Sequence, residues 1–296
     1  MKKIKDYLLL IKPSLSIMVV FSSVMSFMLT PGIKEYTSDS ERWWYVLMLF
    51  AGGMLVTGSA NAINQVTEKD TDAMMKRTAK RPVAAGRMSV TEGWAFALIT
   101  GVAGVFILGH FFNGLTAGLA AFSLFLYAFI YTPLKKINSI AVLIGAVPGA
   151  LPCLIGWAAG NNDLAIGSWI LFAFQFFWQF PHFWAIAWVA HKDYSAAGFK
   201  LLPSEKGPTK FTAMQTVLYS LLMIPVTVAP YYMGMCSFDD VKGIIGLSLV
   251  LLANIFLLYR CISLYKKMDI AAARKVMFGS YIYLPVVMLA WLLSKV

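Results

Sequence analysis

Charge is scarce in this sequence. Only 13% of its 296 residues are Asp, Glu, Lys or Arg, against roughly 25% in an average soluble domain, so water-soluble globular packing is excluded. Acid is scarcer than base, with 14 Asp and Glu against 25 Lys and Arg. The three cysteines, Cys153, Cys236 and Cys261, are far apart. No short-spaced pair exists to build a zinc or dithiol redox site, and all three read as packing residues. No low-complexity segment is present.

Apolar length is abundant: 59% of the residues are hydrophobic. Stretches of 18 or more apolar residues recur, and roughly 20 cross a bilayer core as a helix. Hydropathy places spans near 14 to 30, 43 to 64, 92 to 112, 114 to 132, 139 to 158, 164 to 190, 212 to 235, 242 to 260 and 274 to 294. The expected fold is all-α: a polytopic transmembrane helical bundle of about nine spans, forming one domain over 1–296. The basic start, Met1 to Lys12, followed by Pro13 and an apolar run, superficially looks like a signal peptide. Leu15 to Leu29 lacks a small-residue cleavage site and further spans follow, so it reads as the first transmembrane helix.

The net charge of +11 is of the kind that binds nucleic acid, but its distribution argues against that partner. Twenty-one of the 25 Lys and Arg fall in the N-terminus and the even-to-odd loops, leaving Lys34, Arg42, Lys242 and Lys295 for the other side. Cytoplasmic loops are the ones enriched in Lys and Arg, so a multi-pass protein of the cell membrane, the inner membrane of a bacterium, with a cytoplasmic N-terminus is expected. The outer loops are short. Two long hydrophilic segments, 65–91 and 191–210, are cytoplasmic, and function is sought there. Each follows an even-numbered span, four spans apart, a hint of two related four-helix halves.

The strongest signal is NAINQVTEKDTDAMMKRTAKRPVAAGR, from Asn61 to Arg87. Asn64, Glu68 and Asp72 recur every four residues, so a second helix continuing through them stacks them along one face. Oxygen ligands of this kind suit Mg²⁺, which binds through one or two carboxylates plus substrate phosphates. Lys76, Arg77, Lys80 and Arg81 follow at once, and acids that hold metal beside cations that hold phosphate are what a diphosphate leaving group needs. The plainer reading of the basic residues is positive-inside bias alone; carboxylates at a membrane edge are rarer and usually functional.

Here the chain resembles a family. Asn64-x-x-x-Glu68-x-x-x-Asp72 with Arg77-Thr78-x-x-Arg81-Pro82 is similar to the first acid-rich motif of the UbiA-type intramembrane prenyltransferases. The string NQVTEKDTDAMMKRTAKRP resembles the branch that farnesylates haem, the protohaem IX farnesyltransferases. Two more stretches match that branch: Tyr131-Thr132-Pro133-Leu134-Lys135-Lys136 with the following GAVPGALPCLIGWAAG, and PHFWAIAWVAHKDYSAAGFKLLP from Pro181 to Pro203. The resemblance covers nearly the whole length. It implies a transfer of the farnesyl group of farnesyl diphosphate to a vinyl group of haem b, giving haem O. It further implies that Asn64, Glu68 and Asp72 hold Mg²⁺, with Asp193 contributing from the second motif. Arg77, Arg81, Lys135, Lys136 and Lys192 would then bind diphosphate. One departure stands out: Asp193 is alone between Lys192 and Tyr194, where many relatives carry two or more spaced aspartates, so a lysine contact to diphosphate is expected to replace part of a second metal's role. Membrane lipid and the haem A synthase or oxidase assembly machinery are the partners implied.

Gln175, Gln179 and His182 share one face of the sixth span, with Pro181 expected to kink it. Polar side chains in a bilayer face a cavity or another helix. His182 is thus a candidate to ligate haem iron or guide the porphyrin, with Gln179, His191 and Tyr194 beside it; interhelical hydrogen bonding is the competing role. His110 reads as interfacial. Phe183, Trp184 and Trp188 are candidates to stabilise an allylic cation. Three other functions are compatible with parts of the pattern: prenylation of an aromatic quinone precursor, ion-coupled transport through Glu68 and Asp72, and a non-catalytic haem carrier.

Overall fold

A computed structural model describes residues 2–35, 38–204 and 206–296. The chain opens with α1 (Lys2–Ile11) and α2 (Pro13–Leu29). Next come α3 (Asp39–Thr67), α4 (Lys69–Met74), α5 (Val90–Phe111) and α6 (Gly114–Phe125), the last running through a π-helical segment, Leu126–Tyr131, into a single turn, α7 (Thr132–Leu134). The remaining helices are α8 (Ile140–Asn161), α9 (Ile166–Val189), α10 (His191–Ala196), α11 (Lys210–Tyr232), α12 (Val241–Lys267) and α13 (Ile270–Leu293). Several starts are written in the sequence as side-chain caps. Ser89 Oγ accepts from the Glu92 amide at 3.0 Å, Asn113 Oδ1 from Thr116 at 2.8 Å, Asp240 Oδ1 from Gly243 at 2.7 Å and Asp269 Oδ1 from Ala272 at 2.6 Å. Each satisfies an amide that the first helical turn leaves without a partner.

The all-α multi-pass bundle is the architecture expected from hydropathy. Seven of the described helices are long and apolar enough to cross a membrane, and α1 with α2, bent by 45°, would make an eighth. The ninth expected span is α9, 24 residues long; Gln175, Gln179, Pro181 and His182 dilute its apolar character. The N-terminal residues depart from the expectation. Instead of a bare basic lead they form α1, an amphipathic helix with Ile4, Leu8 and Leu9 exposed on one side, the pattern of a helix lying in the membrane interface. Its polar side is pinned: Lys3 Nζ and Tyr7 Oη both donate to Glu92 Oε1, at 2.7 and 2.8 Å, and Arg87 Nε donates to Asp6 Oδ1 at 2.9 Å.

Lipid supplies no hydrophobic drive for helix association, so close packing of small residues does that work. A Cβ placed on Gly104 of α5 would lie 2.9 Å from the Gly52 carbonyl oxygen and 2.9 Å from the Val56 amide of α3. Similarly, a Cβ on Gly156 of α8 would run into the Ser23 carbonyl of α2. The backbones of these pairs therefore touch, and the helices enclose an interior cavity beneath the segments that join α3 to α5 and α9 to α11.

Candidate active site

Site geometry begins at the α3–α4 junction. The acid-bearing helix does not continue unbroken: α3 ends at Thr67, Glu68 sits at φ −101° and ψ 18°, and α4 restarts at Lys69. Thr67 is a physical cause, since its hydroxyl bonds back to the Ile63 carbonyl at 2.9 Å, a geometry that bends helices. The four-residue spacing survives, because the Glu68 amide still donates to Asn64 O at 3.0 Å and the Asp72 amide to Glu68 O at 2.7 Å.

The side chains converge. Asn64 Nδ2 donates to Glu68 Oε2 at 2.5 Å, and Lys135 Nζ lies 2.6 Å from Glu68 Oε1. Arg81 NH1 bonds both Asp72 oxygens, at 2.7 and 2.6 Å. Asn64, Glu68, Asp72 and Lys135 are all buried, Asp72 with 0% exposure. Buried carboxylates are tolerated only when paired, so a cation from the loop after α4 and another from the end of α7 are built in. Burial pushes the Lys135 ammonium down, while Glu68 beside it pulls the other way.

Lys12 joins this cluster, although the sequence marked it only as a topological charge. It occupies the α1–α2 corner at φ 49°. Burial and then the neighbouring Arg81 and Lys135 push its ammonium down to about 7, against the pull of Asp72 and Glu68. Two amides of α3 place the corner. Pro13 has no N–H to offer the Leu9 carbonyl, and Gln65 Nε2 donates to Leu9 O at 3.0 Å and Leu10 O at 2.9 Å. Asn61 Nδ2 donates to Ile11 O at 3.1 Å and Ser16 Oγ at 3.2 Å. One face of α3 thus holds the corner and the next carries Asn64.

Other predicted residues are distributed differently. Arg77 NH2 donates to Tyr194 Oη at 3.2 Å, and Met75 packs with Ala197 and Phe199. The Lys200 amide donates to Lys135 O at 2.9 Å. The two hydrophilic segments therefore close together over the cluster. Asp193 is half-buried, its carbonyl accepting from the Ala197 amide at 3.2 Å and its carboxylate making no ion pair among the described residues, whereas Lys136 and Lys192 are exposed.

Below the cluster lies a cavity of 580 Å³ whose wall includes Tyr127, Tyr131, Gly145, Gln175, Gln179, His182 and Phe183. Tyr131 connects the two regions, since the Lys135 ammonium sits 4.8 Å from its ring centre. The π-helical segment carries both tyrosines, in keeping with the functional placement typical of π-bulges. Gly145 leaves room for them: a Cβ there would lie 2.5 Å from Tyr131 Cε2. Leu15 of α2 and Tyr281 of α13 line the cavity and are also 47% and 38% exposed, so it opens sideways towards lipid.

His182 lies on the cavity wall, its Nδ1 2.8 Å from Ser280 Oγ. Gln179 Nε2 donates to Ala146 O of α8 at 2.9 Å, a bond between helices, and to Gln175 O of its own helix at 3.1 Å. His191 and Tyr194 line a separate pocket of 350 Å³ between residues 137–139, which join α7 to α8, and the 191–210 segment. Of the aromatic candidates, Phe183 faces the cavity, while Trp184 and Trp188 are buried in apolar clusters away from it. No role was read for Tyr127 or Tyr131: Tyr131 opens one of the family-like stretches, but nothing in the sequence placed either ring on the cavity wall. His110 stacks on Phe106 with ring centres 5.7 Å apart, outside the cavity.

Comparison with known proteins agrees with this arrangement. The chain is 41% identical over 292 residues to the protoheme IX farnesyltransferase of Flavobacterium psychrophilum, covering 98% of this chain and 94% of the relative. It is 37% identical to the mitochondrial protoheme IX farnesyltransferase of Arabidopsis thaliana, covering 96% of this chain and 64% of that one. Among solved structures, one concerned with digeranylgeranylglyceryl phosphate synthase superposes with a TM-score of 0.77 at 20% identity, over 99% of both chains. A UbiA homologue from Archaeoglobus fulgidus bound to DMAPP and Mg²⁺ gives 0.74 at 14% identity, over 96% of this chain and 98% of that one. The family model for UbiA prenyltransferases matches residues 19–282, and the chain belongs to the UbiA prenyltransferase family.

Proposed function

We propose that this protein transfers the farnesyl group of farnesyl diphosphate to a vinyl group of haem b, forming haem O. The observation that carries the reading is the buried set Asn64, Glu68, Asp72 and Lys135, with Arg81 half-buried against Asp72, at the cytoplasmic end of a cavity that opens to lipid. An isoprenoid chain enters such a cavity from the bilayer while its charged head stays among the polar groups. The full-length relatives named for haem farnesylation select the acceptor.

The donor set fits Mg²⁺. Among the described residues no three His, Cys, Asp or Glu side chains form a ready-made cage. An amide and two carboxylates, all oxygen donors, meet at the α3–α4 junction, and Mg²⁺ is characteristically held by one or two carboxylates with substrate phosphates completing the shell. Asn64, Glu68 and Asp72 would hold the ion, with Asp193 of α10 offering a further carboxylate across the closed segments. When bound, the ion supplies neutralising charge for the departing diphosphate. Arg81, Lys135 and Lys12 are aimed at the same head group, and Arg77 reaches it from the rim.

The residues then act on the charge that develops as the bond from farnesyl C1 to oxygen breaks and its electron pair leaves with the diphosphate. Tyr127, Tyr131 and Phe183 offer π faces to the allylic cation, and the apolar wall keeps bulk water away. The vinyl π electrons form the new carbon–carbon bond, and one water captures the resulting cation with loss of a proton, leaving a hydroxyethylfarnesyl group. Incubating purified protein with haem b, farnesyl diphosphate and Mg²⁺, with mass analysis of the pigment, tests this directly. Haem O is expected without chelator and none with it; a prenylated quinone precursor made in preference to haem O would overturn the acceptor assignment.

A further inference from the structure

The hydrogen-bond network behind His182 carries an inference that rests on the haem-acceptor reading and deepens it. Ser280 of α13 has a single hydroxyl proton. Its Oγ lies 2.7 Å from the Met277 carbonyl oxygen, and two oxygens this close need a proton between them, so the hydroxyl donates there. Towards His182 Nδ1, at 2.8 Å, Ser280 can only accept. The imidazole is therefore protonated on Nδ1, and its lone pair resides on Nε2.

The ring plane is fixed as well. His182 stacks on Trp178, with ring centres 4.6 Å apart and planes within 16°, and Trp178 Nε1 donates to the Ser280 carbonyl at 2.9 Å. Tyr281 meets the ring edge-on at 4.7 Å. His182 is the one histidine on the cavity wall, is only 5% exposed, and its Nε2 has no protein partner among the described residues. This nitrogen is not among the side-chain atoms sealed in the packing without a partner, so its lone pair is open to the cavity and available to a guest. An isoprenoid chain has no proton to give it, but the metal of a porphyrin has an empty coordination site for it.

We infer that Ser280 is a positioning residue: by accepting the Nδ1 proton of His182 it holds the imidazole in the tautomer and orientation whose Nε2 ligates the iron of the porphyrin acceptor. Partners that hold the other ring nitrogen of a metal-ligating histidine are the usual device for this.

The test uses the full chain in lipid nanodiscs, titrated with haem b in the absence of prenyl diphosphate and read by Soret absorption and by resonance Raman of the ferrous complex. The wild type is expected to show an iron–histidine stretch. Ser280→Ala is expected to weaken haem affinity by about 10-fold and lower the frequency of that stretch, and Ser280→Thr to restore both. His182→Gly is expected to lose the band and regain it with added imidazole, which also shows that the cavity remains folded. Wild-type affinity and band position in Ser280→Ala, or a band that persists in His182→Gly, would overturn the inference. A wild type that makes haem O with no histidine band leaves the proposed function standing and removes this inference alone. A wild type that binds no haem removes both.

Discussion

At the scale of single residues, the site is an arrangement of charges that neutralise one another until a more highly charged guest arrives. Asp72 is fully buried against Arg81 and Glu68 against Lys135, so the fold stores two carboxylates and two cations where a metal diphosphate would need both. Asp72→Asn keeps the shape and removes the charge. It is expected to lower kcat/KM by about 10²- to 10³-fold, the scale of a lost electrostatic contact to a leaving group, while the protein stays monodisperse; haem O formation by mass analysis checks it. Lys12 adds a pH dependence. Burial and then the neighbouring Arg81 and Lys135 push its ammonium down to about 7, and only the protonated form attracts diphosphate. Raising the pH from 6 to 9 should therefore weaken farnesyl diphosphate binding, and Lys12→Arg, which stays protonated, should flatten that profile in a calorimetric titration.

At the scale of elements, the α1–α2 corner and the α3–α4 break matter most. The first replaces a basic lead by a helix and a corner, and the second breaks a helix expected to continue. Pro13 announced a helix start, but that Lys12 turns inward depends on Gln65 and Asn61 reaching across from α3. Gln65→Leu strips two buried carbonyls of their donor and is expected to cost about 1–3 kcal/mol, seen as a lowered Tm in detergent together with weaker diphosphate binding. Glu68 and Asp72 were legible as a four-residue register, and the register persists because the backbone hydrogen bonds pass through the break. The break itself was not legible, since a threonine that bonds back to its helix looks like any other threonine in a string. The π-helical turn presenting Tyr127 and Tyr131 was hidden in the same way: its effect depends on Gly145 lying opposite, on another helix.

At the scale of the whole molecule, the distribution of basic residues orients the bundle and the apolar walls give it a solvent. The acid cluster, the two hydrophilic segments and the N-terminal helix all lie at one end, where Lys and Arg concentrate, the end that the positive-inside bias expects in the cytoplasm. A fluorescent or protease-accessible tag at the N-terminus is expected to report the cytoplasm, and a tag in the Phe111–Gly114 turn the opposite side; the reverse result would place the site in the wrong compartment for a cytoplasmic diphosphate. Leu15 and Tyr281 line the cavity and are partly exposed, which under the proposed function gives both lipid-borne substrates a route from the bilayer.

The sequence by itself determined the solvent and the helical class and marked the acid register, because apolar length, charge asymmetry and a four-residue spacing are local quantities. Only the tertiary structure decided which basic residues serve that site. Arg81 and Lys135 are drawn in to neutralise buried carboxylates, Lys12 is turned towards them by a corner clamped from α3, and Lys136 and Lys192, equally basic in sequence, remain at the surface. The same holds for His182, whose role depends on Ser280 nearly a hundred positions later. Burial and long-range hydrogen bonds distinguish one lysine or histidine from another, and neither exists until the helices have packed.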